Sequence, residues 1–143
     1  MSGERLAEME AQMEALRGSL AAALPGRTVS RSMKPATAYS DEALRAGVVS
    51  LVRLGEKDFA NYRGREADLG TVEAVLVGRV AVGINDDEVD LEREELALAG
   101  QILEWLQGPM PAGVGQCLAS GFRQSGQIEF PAGWVLFKLE IQA

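Results

Sequence analysis

The sequence predicts a mixed α/β domain of the α+β kind: a mostly antiparallel sheet flanked by two amphipathic helices, with an extended hairpin loop. Three observations predict it. Two long segments carry apolar residues at helical spacing, several Val- and Leu-rich segments alternate as strands do, and Gly and Pro punctuate the junctions. With 143 residues, 47% of them hydrophobic and 24% charged, residues 1–143 have the length and balance of one globular domain rather than a disordered chain.

Taken in order, Glu4 to Leu24 places Leu6, Met9, Met13, Leu16, Leu20 and Leu24 at steps of three and four, with Glu, Gln and Arg opposite. This is an amphipathic helix, and Pro25-Gly26 ends it. Arg27 to Met33 alternates as a short edge strand, and Lys34 to Gly47 reads as a loop with one helical turn at Asp41 to Arg45. Val48 to Leu54 and Thr71 to Val82 are strands bounded by Gly. In the second, Val72, Ala74, Leu76, Val80 and Val82 share one face, yet Val75 and Val77 make the other partly apolar. Such a sheet expects cover on both sides, from helices or a neighbouring subunit.

Between these strands, Gly55 to Gly70 surrounds Phe59 and Tyr62 with charges and reads as the extended tip of a hairpin. The acidic run Asn85 to Asp90 leads into a second helix, Leu91 to Leu106, with Asp90 as its expected N-cap and Leu91, Leu98, Ile102 and Leu106 as its stripe. Gly108-Pro109 stops it. After a Gly- and Pro-rich link, Phe122 to Phe130 and Trp134 to Ile141 are expected to pair about a Pro131-Ala132-Gly133 turn. Val135, Phe137, Leu139 and Ile141 form the inward face of the last strand.

Composition limits the chemistry. The chain has no His and a single Cys, which removes the commonest proton shuttle, imidazole and thiolate metal sites, and an internal disulfide. A net charge of −7 opposes tight binding to phosphate backbones, although it suits a surface past which nucleic acid slides. No apolar run approaches the roughly 20 residues that span a bilayer, and the first helix is studded with Glu. The expectation is a chain with neither a signal peptide nor a membrane anchor.

Each candidate site has a plainer competitor. Asp86, Asp87, Glu88 and Asp90 could hold a hard cation, but their spacing lacks the alternating ligands and mid-loop Gly of a calcium loop, and a solvated helix start accounts for them. Cys117 has no His to activate it and reads as a small buried hydrophobe. Gly113, Gly115 and Gly121 are too irregular for a phosphate loop, and Ser120 and Ser125 lack a base. Catalytic, cofactor and metal residues are therefore expected to be none. Interface residues are expected instead. Phe59 and Tyr62 read as anchors that reach a partner or fold back on the domain; Arg63 and Arg65 could touch a nucleic acid but sit among four acids, so they and Glu66 read as intersubunit or partner ion pairs. Trp134 divides between local core and subunit contact.

The order helix, two strands with an extended hairpin, second helix and closing strand pair resembles the tail terminator proteins of long-tailed bacteriophages. The ending carries most of the likeness: Leu118-Ala119-Ser120-Gly121-Phe122 through Trp134 to Ile141, with an acidic Glu140 near the close, and Gly126 to Trp134 similar to closing segments of small phage neck proteins. The resemblance lies in element order more than in identical residues, and Lys34 to Gly47 and Gly55 to Gly70 have no assigned counterpart. It implies a structural virion protein, not an enzyme and without a cofactor, that forms a homohexameric ring at the head-proximal end of the tail tube. Such a ring ends tube polymerisation and offers a docking surface to the head. Its partners would be its own copies, the tail tube protein and the head-tail connector protein. The genome would pass through the lumen without specific binding. The site of action would be the tail neck, after assembly in the host cytoplasm. Alternatives are another head-tail neck component, or a small acidic module that sequesters a basic host protein.

Overall fold

Alternation and helical spacing resolve into three α-helices and a mixed six-stranded sheet in a computed structural model that describes residues 3–58 and 70–142. The elements are α1 (Gly3–Ala23), β1 (Thr28–Ser30), a 3₁₀ turn (Ala36–Ala38), α2 (Asp41–Ala46), β2 (Val48–Lys57), β3 (Thr71–Ala81), α3 (Glu88–Gln107), β4 (Gln116–Leu118), β5 (Phe122–Gln124) and β6 (Ala132–Gln142). The sheet order is β1-β2-β3-β6-β4, and β5 also pairs β6. Among the described residues, only the β1–β2 pairing is parallel.

Alternation along β3 and β6 decides which face becomes the core. Val72, Ala74, Leu76 and Val80 of β3 and Val135, Phe137, Leu139 and Ile141 of β6 are buried. Register sets Leu51, Leu76 and Phe137 side by side. Helices α1 and α3 cover this face, contributing Met13, Leu16 and Leu20 from one, with Leu24 just past its end, and Leu91, Leu98 and Ile102 from the other. The first turns of the predicted α1 stripe stay outside the core: Leu6 is 54% exposed. Trp105 Nε1 donates to Ser19 Oγ at 2.9 Å and ties the two helices together.

The start of α3 differs from expectation. Asp87, not Asp90, is the N-cap, its carboxylate accepting the Val89 N–H at 2.8 Å. Asp90 occupies the third helical position and returns the bond to the Asp87 N–H at 3.1 Å. This reciprocal capping box satisfies two otherwise orphaned donors and lengthens the helix by a turn. The helix ends at Gly108 as expected.

The closing hairpin is also rearranged. Its turn lies in residues 125–131 rather than at Pro131-Ala132-Gly133, β5 is three residues long, and Ala132 and Gly133 belong to β6. Gly133 faces α3, where a Cβ would collide with the carboxylate of Glu95. Its missing side chain makes room for that buried acid. At the other end of the sheet β4, a strand absent from the expectation, pairs Cys117 with Ile141. Cys117 is buried, and desolvation pushes its thiol pKa up to about 12. Among the described residues, no helix is long and apolar enough to cross a membrane.

Candidate assembly surface

The face of the sheet turned away from α1 and α3 carries the second set of alternating residues. It reads Glu73, Val75, Val77 and Arg79 on β3, and Trp134, Leu136, Lys138 and Glu140 on β6. Register places Ser50, Val77 and Leu136 in one row and Val52, Val75 and Lys138 in the next. Val52, Val75, Val77 and Leu136 thus form a half-buried apolar strip across three strands.

One end of the strip is roofed. Ser40 caps α2 by accepting the Ala43 N–H at 3.1 Å, and Leu44 of this short helix is buried. Val48 and Ser50 are buried at the same end. Gly47 ends α2 at φ +96°, where a Cβ would strike the Arg27 side chain. The positive φ favours glycine there, and a Cβ would also displace the Arg27 guanidinium. Arg79 donates to the Lys34 carbonyl and thereby holds the segment leading into the 3₁₀ turn. A cavity of about 350 Å³ remains, lined by Leu44, Val77, Arg79, Glu129, Trp134 and Leu136.

Among the described residues, the other end is open and charged. Glu73 and Glu140 are direct cross-strand neighbours, a pairing that repels unless a cation intervenes. Lys57 supplies it, bonded to Glu140 and influenced by Glu73; the bond to Glu140 holds its ammonium pKa above the ordinary value. A bulge between Arg53 and Gly55 sets Leu54 outside the ladder, where it is 63% exposed. Together with Leu118 across the sheet it borders a groove of about 600 Å³ that includes Lys138.

Of the interface residues expected from sequence, Trp134 belongs to this surface: it is half-buried, and its indole N–H donates to Glu129 at 3.2 Å. Phe59, Tyr62, Arg63, Arg65 and Glu66 lie outside the described residues. Sequence reasoning did not single out exposed apolar side chains such as Leu54, Ile84, Leu118 and Ile128. For Ile128 the clue was present, since Ser125-Gly126 is a turn dipeptide inside what read as a strand. Asp87 and Asp90 form the capping box of α3, and Asp86 accepts the Gly83 N–H at 2.6 Å in the turn before it. Among the described residues, no three His, Cys, Asp or Glu side chains converge as metal ligands do.

Compared with known proteins, the chain matches no protein-family model and no curated sequence.

Proposed function

We propose that this protein is a structural assembly part whose copies join through the open sheet face into a ring, the tail terminator of a long-tailed bacteriophage. The observation that carries the reading is the strip Val52, Val75, Val77 and Leu136, which no helix covers beyond the α2 end among the described residues. Apolar residues on both faces of a sheet are stable when both faces are covered, and a neighbouring subunit can supply the second cover. The element order and the closing strands support the phage assignment by resemblance. The net charge of −7 is compatible with a lumen that lets a genome slide past. In this reading the protein performs no catalysis; it stops tube growth and presents a head-docking surface.

Negative-stain microscopy and mass measurement of the purified protein test the reading, followed by addition of tail-tube subunits. Rings that cap tube polymers are the expected result. A protein that stays monomeric at all concentrations and leaves tube growth unchanged would overturn it. The same charge supports a second reading, capture of a basic host protein. A single basic partner retained from host lysate and released by salt would favour that reading.

A further inference from the structure

The apolar stripe of α1 outruns the core. Met13, Leu16 and Leu20 are buried, whereas Met9 is half-buried and Leu6 is 54% exposed in the turns before them. Gln12 stands where the stripe leaves the core. It is 5% exposed, and neither its Oε1 nor its Nε2 has a hydrogen-bond partner among the described residues. Burial without a partner is costly for an amide, and an apolar side chain would fill the same place more favourably. An unmet amide inside a native fold calls for a reason, and binding supplies one.

Gln12 also lines a cavity of about 300 Å³ between α1 and the turn that follows α3. Glu8 and Ala11 complete the helix side, and Ala112 and Gly113 form the other. That turn is closed by the Val114 N–H, which donates to the Pro111 carbonyl at 3.1 Å. Ala11, Ala112 and Gly113 carry nothing beyond Cβ, and a Cβ added to Gly113 would meet no atom within 4 Å. Walls this low let another main chain come close.

The amide itself selects the chemistry of the occupant, because it presents an acceptor and a donor side by side. A peptide group answers both with its own N–H and C=O. An ammonium or guanidinium only donates and leaves Nε2 unmet, while a carboxylate or phosphate only accepts. A nucleobase edge can do both, but it arrives on a phosphate backbone, against Glu8 at the cavity and a net charge of −7.

We propose that the cavity beside Gln12 docks an extended main-chain segment of a partner protein. One peptide group pairs with the Gln12 amide, and an apolar side chain next to it covers Leu6 and Met9. The site lies on the helix side of the sheet, away from the open strip, and does not rest on the ring reading.

The test titrates isotope-labelled protein with the capped peptide acetyl-Ala-Gly-Ala-Leu-amide and follows the Gln12 side-chain amide and the Ala112 and Gly113 backbone signals by NMR. Saturable shifts of all three are expected. Replacing the internal amides of the peptide by esters should weaken binding about 10-fold, as loss of one hydrogen bond does. Gln12→Leu should melt no lower than wild type and lose the binding. Ala112→Leu, which raises an exposed wall of the cavity, should lose it with the amide intact. A lowered Tm for Gln12→Leu would show that the amide is satisfied within the fold and overturn the site. Shifts that survive in both variants, no shifts up to the solubility limit of the peptide, or a response to oligo(dA) and not to the peptide would overturn it too. Loss of self-association in Gln12→Leu would make the site a contact between copies and overturn the partner assignment.

Discussion

The Glu95 carboxylate, buried in α3, accepts the backbone N–H of Trp134 at 3.2 Å. It also accepts from Gln124 Nε2 at 3.1 Å and from the Ser125 hydroxyl. One acid therefore binds β5, the following turn and β6 to the helix above them. Glu95→Ala strands those donors in a dry site and should cost about 3–5 kcal/mol. Glu95→Gln retains one acceptor oxygen and should cost less. Urea unfolding of both variants checks this; an alanine variant as stable as wild type would contradict the role.

Leu136 and Leu139 stand on opposite faces of β6, one half-buried on the open face and the other 2% exposed beneath the helices. Leu139→Asp buries an unpaired charge and should abolish the cooperative thermal transition. Leu136→Asp should keep that transition and lose self-association. Calorimetry with size-exclusion chromatography separates the two, and equal damage to folding from both would invert the assignment of faces.

Gln12 is 5% exposed, and neither polar atom of its side-chain amide has a hydrogen-bond partner among the described residues. An unmet buried amide is destabilising, so Gln12→Leu should raise stability by about 1–2 kcal/mol. A lowered Tm would mean that the amide is satisfied in solution.

The Cys117 thiol is raised from 9.0 to about 12 by burial. The folded protein thus holds a proton that the unfolded chain releases near pH 9. This contribution is complete below that pH and is lost as pH rises from about 9 towards 12, at up to about 1.4 kcal/mol per pH unit. Lys57, also raised, acts in the same direction at higher pH and is common to both proteins compared. Cys117→Ala should flatten the alkaline decline relative to wild type, measured by urea unfolding between pH 8 and 11. Identical slopes would rule out the buried thiol as a source.

Helix α1, strands β2 and β3, the body of α3 and the inward face of β6 were legible in the residue order alone, because periodicity reports burial wherever a long element packs one side against a core. Met13, Leu16 and Leu20, and Val135, Phe137 and Leu139, could be identified on that ground alone. Composition also set the acidic balance and the absence of imidazole. Tertiary structure decided what local pattern does not encode. Pairing with β6 made strands of residues as few as those in β4 and β5. A reciprocal bond with Asp90 moved the N-cap to Asp87, and a bulge turned Leu54 outward. Glu95, which the helical pattern would leave to solvent on charge alone, is buried because three donors converge on it and Gly133 leaves it space. Which apolar face α1 and α3 cover, and which remains open, depends on contacts between residues far apart in the chain. The candidate assembly surface became visible only once the helices had taken the other side.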